Sequence, residues 1–168
     1  HETTQLVIKQ LEKYVTPETE LLDVGTGSGI LAVIAKMLGA KSIIGTDLDE
    51  NAITASAENM EANGFAPDIF KVIQGNIIDD KAVQDEVGYE KYDVVTANIL
   101  ADVIMPLSKE IAQHIKHGGV FITSGIIDMK EDAVKKTIME NPELEIVDVS
   151  HQGDWVSITA VRKQTRER

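Results

Sequence analysis

Between one short apolar run and a nearly all-apolar helix, the chain carries Asp23-Val24-Gly25-Thr26-Gly27-Ser28-Gly29, with three glycines at alternate positions. Glycines so spaced permit positive φ, and a chain that turns there from a buried strand straight into a helix brings its backbone N–H groups close to a ligand at the positive helix end. Glu20-Leu21-Leu22-Asp23-Val24 reads as the strand; Ile30, Leu31, Val33, Ile34 and Leu38 form the helix, which Gly39 ends. Two relatives of this turn are argued against. A nicotinamide fingerprint would need glycine at position 30, where Ile30 stands, and no Gly-Lys-Ser/Thr follows for a phosphate loop. Taken alone, the loop is equally compatible with a tight turn that holds nothing.

The alternation of helix-period and buried-strand patterns continues along the chain, which predicts an α/β class. Val7, Leu11, Tyr14 and Val15 share a helical face that Pro17 stops, and Ser42 to Thr46 is a second strand. Asp49 is placed to cap a helix carrying Ile53, Ala57 and Met60, with Asn63-Gly64 at its end. Ile69 to Ile73 and Tyr92 to Ala97 are strands three and four. A helix with Leu107, Ile111 and Ile115 follows, Pro106 near its start and Gly118-Gly119 at its end. Val120 to Thr123 is strand five, and Asp128 with Glu131 resembles a capping box. Leu144 to Val149 and Trp155 to Val161 form a closing antiparallel hairpin around Gly153. Right-handed crossovers turn five parallel strands into a doubly wound sheet, one domain over residues 1–168, with a ligand expected at the carboxyl ends of its strands.

Composition restricts function further. The chain lacks cysteine, so disulfides, thiolate metal sites and cysteine nucleophiles are excluded. Its net charge of −12 repels phosphate backbones, so direct nucleic-acid binding is not expected, and it favours a basic protein partner. Neither a membrane span nor a secretory signal is legible, which predicts a cytoplasmic protein. The first residue is His1 rather than Met, so we expect an upstream part to be missing.

Asp47 ends strand two about 20 residues after the glycines, where a carboxylate accepts the hydroxyls of a ribose; an exposed carboxylate without a ligand is the plain alternative. Asn98 ends strand four with an amide suited to orienting an amine or an amino acid moiety, though it would also serve as a turn residue. His1, His114, His117 and His151 show no metal-ligand spacing, and His114 and His117 suit a helix end as cations. Trp155 reads as packing, and no metal site is expected.

This order of motifs resembles the class I S-adenosylmethionine-dependent methyltransferases, and more narrowly the bacterial ribosomal protein L11 methyltransferases of the PrmA type. The likeness rests on His1-Glu2-Thr3-Thr4, the Asp23 to Gly29 loop with Ile30-Leu31-Ala32, Gly45-Thr46-Asp47-Leu48-Asp49, Asn59, Asn63-Gly64 and Ala97-Asn98-Ile99-Leu100-Ala101. It implies a Rossmann-like, seven-stranded mixed sheet with the last strand antiparallel. It also implies S-adenosyl-L-methionine as cofactor, held by Thr4, Gly25, Asp47 and Asn98, with Gly27 and Asn76 in the same pocket. Asn98 is the implied catalytic residue and Asp47 the ribose ligand. The implied activity is methylation of lysine side chains and the N-terminal amine of a large-subunit ribosomal protein, with an upstream substrate-recognition domain absent from this chain. A methyltransferase for another protein or a small molecule, and a non-catalytic cofactor-binding module, are the alternatives.

Overall fold

The computed structural model describes residues 1–165. Helix α1 spans Glu2–Tyr14, followed by β1 (Glu20–Val24), α2 (Ile30–Met37), β2 (Ser42–Asp47), α3 (Asn51–Ala62), β3 (Phe70–Gln74), α4 (Lys81–Val87) and β4 (Tyr92–Asn98). The second half comprises α5 (Ala101–Glu110), β5 (Ile115–Ile127), α6 (Glu131–Glu140), β6 (Leu144–Gln152) and β7 (Trp155–Arg162). The seven strands lie in the order β3-β2-β1-β4-β5-β7-β6. β1 to β5 are mutually parallel, while β7 pairs antiparallel with both β5 and β6.

The order in which strands are added reverses between β1 and β4, although the two strands run parallel. From β1 the chain steps outward to β2 and β3, then α4 carries it back across to β4, leaving a crevice at the carboxyl ends of β1 and β4. Each sheet face has its own apolar layer. Val7 and Leu11 of α1, Leu31 to Ala35 of α2 and Met60 of α3 cover one face. Val83 and Val87 of α4, Ile104 and Leu107 of α5, and Val134 and Ile138 of α6 cover the other. Strands buried on both sides must be apolar throughout, which is why Leu21, Leu22, Val94 and Val95 form unbroken runs.

Five local expectations are corrected. The helix expected to run through Ile115 ends at Glu110, continues as a 3-10 turn over Ile111–His114, and contains Pro106 well inside it. Gly118-Gly119 does not stop a helix: β5 begins at Ile115 opposite Tyr92, bulges through Lys116–Gly119 with Gly118 at φ +84°, and resumes with Val120 opposite Val94. Asp128 opens a 3-10 turn rather than a capping box, and Glu131 reaches instead to Lys135 and His151. His114 is fully buried, not a cation at a helix end; burial lowers its pKa, its Nδ1 is 2.6 Å from the Gly88 carbonyl, and its Nε2 has no partner. Asp49 was expected to cap α3; the N-cap is Glu50, without a side-chain cap, and Asp49 just before it accepts the Asn51 N–H at 2.9 Å. No helix among the described residues is long and apolar enough to cross a membrane.

Candidate active site

The glycine loop is tied down from three sides. The amides of Gly25 and Thr26 both donate to the Thr46 carbonyl, at 2.9 and 3.1 Å, and that of Gly29 donates to the Thr26 carbonyl. Gly27 N–H donates to Asp47 Oδ2 at 2.8 Å. From α3, Ser56 Oγ donates to the Gly27 carbonyl and Asn59 Nδ2 to that of Ser28. Most loop amides are thus spent within the protein, contrary to the expectation that they would face a ligand. The loop is therefore no anion nest; its Gly25 carbonyl accepts no hydrogen bond among the described residues. Glycine is needed at position 25 because φ is +73° and a Cβ would lie 2.6 Å from Ile99 Cγ2.

Beneath the loop lies a residue that the sequence reading passed over. Asp23 is 1% exposed and accepts hydroxyl hydrogen bonds from Thr26 and Thr96, each at 2.8 Å. Burial pushes its pKa up to about 6, the two hydroxyls and the nearby Asp47 charge being smaller influences. Its buried position on β1 could have drawn notice, because an acid inside an apolar run has to find donors.

Asp47, half-buried at the end of β2, also accepts the Asp49 N–H at 2.9 Å on its other oxygen. Two amides therefore fix its rotamer while lone pairs remain on a carboxylate that has about four acceptor positions. Asp47, Gly25 and Asn76 border one open cavity of about 550 Å³, whose walls include Ile77, Ile78, Ile99, Val103 and Pro106. Asn76 spends its Oδ1 on the Ile78 N–H at 3.0 Å, so its Nδ2 is the group left for a ligand. Above Gly27, at φ +56°, a Cβ would meet nothing within 4 Å. Thr4 and Asn98 do not line this cavity. They meet each other at its β4 end, Asn98 Nδ2 donating to Thr4 Oγ1 at 3.5 Å, and Ile99 continues into the cavity wall. His1 starts α1 by accepting the Thr3 N–H on its ring nitrogen and packs edge-on against Trp155.

The six expected residues thus gather on one edge of the sheet as two linked groups. An apolar cavity with a hydroxyl-accepting carboxylate suits a nucleoside, and the Thr4–Asn98 pair adds polar groups at one end. Nothing here resembles a metal site: among the described residues, no group of three or more acidic or histidine side chains converges.

Comparison with known proteins adds a family. Residues 1–163 match the family described as ribosomal protein L11 methyltransferase (PrmA). A ribosomal protein L11 methyltransferase of Lachnospira eligens is 62% identical over 163 residues, which is 97% of this chain and 51% of that protein. One from Agathobacter rectalis is 52% identical over 95% of this chain and 50% of its own length. The chain spans about half the length of the curated relatives it matches. Among solved structures, the ribosomal protein L11 methylase of Lactobacillus delbrueckii subsp. bulgaricus superimposes with a TM-score of 0.85 at 32% identity, over 98% of this chain and 80% of that one. A structure solved in complex with SAH shares the fold with a TM-score of 0.79 at 14% identity, over 96% of this chain and 50% of that one.

Proposed function

The chain belongs to the ribosomal protein L11 methyltransferase family, and from that premise we propose that it transfers methyl groups from S-adenosyl-L-methionine to amines of a ribosomal protein, namely lysine side chains and the N-terminal amine. The supporting observation is the 550 Å³ cavity that has Asp47 on its rim and the Asn98–Ile99 corner at its end. A nucleoside fits the first part and a reacting amine the second.

When bound, the cofactor supplies a methyl group activated by its sulfonium, and the chain positions what reacts with it. Asp47 accepts the ribose hydroxyls, its rotamer already set by the Gly27 and Asp49 amides. Ile77, Ile78, Val103 and Pro106 exclude water around the base, and Asn76 Nδ2 offers it a donor. The open Gly25 carbonyl suits the ammonium of the methionine part, and the unfilled space above Gly27 leaves room for it. Thr4 and Asn98 stand at the methyl end. Asn98 Oδ1 accepts an N–H of the incoming amine and so turns the nitrogen lone pair toward the methyl. The half-buried Ile99 favours the neutral amine over the ammonium, and the ammonium's proton passes to solvent water before transfer. In-line displacement from a good leaving group needs mainly this positioning. A net charge of −12 complements a basic ribosomal protein.

Calorimetric titration with S-adenosylmethionine, NAD serving as the comparison, tests the cofactor; mass analysis of ribosomal protein L11 after incubation tests the acceptor. Binding of S-adenosylmethionine alone, with mass gains in whole methyl increments, is the expected result. Failure to bind S-adenosylmethionine, or binding of NAD in its place, would overturn it.

A further inference from the structure

The reading of Asn98 as the residue that orients the amine leaves open what holds its amide, and the structure places an irregular piece of β5 directly behind it. Thr123 of β5 pairs with Ile158 of β7, but the next pairing is Ile126 with Val156, so Ser124 and Gly125 stand opposite the single residue Ser157. Two residues against one make a β-bulge, the device by which a strand re-aims what it carries. Gly125 adopts φ +83° within it. A Cβ at this position would lie 2.7 Å from the Ile99 carbonyl oxygen and 3.1 Å from Asn98 Oδ1. Both oxygens therefore pack onto a backbone that has no side chain, and any larger residue would push them away.

Ser124 makes the second connection. It is fully buried, its Oγ donates to the Thr3 carbonyl in the first turn of α1 at 2.8 Å, and its own carbonyl accepts the Ile99 N–H at 3.2 Å. The bulge thus touches both elements that meet at the methyl end: the α1 turn that carries Thr4 and the β4 end that carries Asn98, whose side chains are 3.5 Å apart. We propose that Ser124 and Gly125 are positioning residues for methyl transfer, the bulge setting where the Asn98 amide oxygen stands relative to Thr4 and to the incoming amine. This rests on the function proposed above, and neither residue touches the reacting atoms.

The test compares Gly125→Ala, Ser124→Ala and Asn98→Ala with the unaltered protein in three measurements: turnover on ribosomal protein L11, calorimetric affinity for S-adenosylmethionine, and the side-chain amide signals of Asn98 in a nitrogen–proton correlation spectrum. Gly125→Ala is expected to lower kcat about 100-fold, the scale of a displacement near 1 Å, to move the Asn98 signals, and to change the cofactor Kd far less than kcat. Ser124→Ala, which only removes a hydroxyl, covers the case in which the alanine at 125 prevents folding; it is expected to lower kcat about tenfold while melting as a folded protein. Unmoved Asn98 signals, or unchanged kcat in both bulge variants while Asn98→Ala is impaired, would overturn the proposal and leave the function standing. Full turnover by Asn98→Ala would overturn the role of Asn98 itself, and this proposal with it.

Discussion

At the amino edge of the sheet, Arg162 reaches from the end of β7 to Glu143 at 2.8 Å and Glu90 at 3.3 Å, and Lys116 lies within 3.5 Å of Glu20 and Asp93. At the carboxyl edge, Asp23 and Asp47 are held by hydroxyls and amides, with no cation beside either among the described residues. Arg162 is 7% exposed and donates to the Ile115 carbonyl as well, so its charge is answered within the protein. The glycine-loop carboxylates keep their negative charge unanswered, which favours a cationic ligand and costs stability until one arrives. One edge fastens the fold, and the other holds a charge in reserve.

The sharpest way to break this contrast is to exchange the roles. Arg162→Ala is expected to lower unfolding stability by about 3 kcal/mol, because Glu90, Glu143 and the Ile115 carbonyl lose a shared donor, while the folded fraction binds S-adenosylmethionine as before. Asp47→Ala is expected to do the reverse, weakening cofactor binding about 100-fold through lost hydrogen bonds to a charged acceptor and barely moving the denaturant midpoint. Loss of cofactor binding in the first variant, or of stability in the second, would show that the edges are not separate.

Proton linkage sharpens the same contrast. Asp23 has its pKa raised from 3.8 to about 6, so the fold binds its proton more tightly than the unfolded chain does. Its contribution is full below about pH 4 and is lost as pH rises through 6, an amount of roughly 3 kcal/mol. His114 shifts downward, so its contribution is present above its ordinary value of 6.5 and is lost as pH falls through the lowered one. Denaturation curves from pH 4 to 8 should therefore show Asp23→Asn abolishing a loss on the alkaline side and His114→Asn abolishing one on the acid side. Parallel curves for the two variants would contradict the opposed linkage.

Smaller effects are expected within the loop. Gly29→Ala forces a Cβ to within 3.1 Å of the Ser56 backbone at φ +81°, and should cost about 2 kcal/mol of stability. Gly27→Ala meets no neighbour, and its strain at φ +56° should cost about 1 kcal/mol. Chemical denaturation of both variants distinguishes them, and equal costs would mean that packing against α3 matters little.

Much of the carboxyl edge was legible because its residues follow local rules: the alternate glycines, Asp47 at a strand end, and Asn98 at another. What escaped depends on distant partners. Helix α4 has only Val83 and Val87 buried, too few to stand out in a charged stretch. Gly118-Gly119 reads as a helix stop in any local window, and only pairing with β4 makes it a bulge. Asp23 was quoted as part of a motif, but its two hydroxyl donors lie 3 and 73 residues away. The likeness of Asp128 and Glu131 to a capping box fails because Lys135 and His151 engage Glu131. The Ser124–Gly125 bulge has no signature at all until β7 is laid beside it.

That last strand has a consequence for how the chain is made. β7 is synthesised after every other element of the sheet and yet inserts between β5 and β6 rather than joining at the rim. Until it emerges, β5 presents an unsatisfied edge and β6 has no neighbour, and contacts this far apart in the chain form slowly. A nascent chain that already contains the glycine loop, Asp47 and Asn98 therefore still lacks the strand against which the Ser124–Gly125 bulge is defined. A truncation that removes only Trp155–Arg162 leaves every expected site residue in place and the corner behind Asn98 unbuilt, so under the proposed function it should bring methyl transfer down with it.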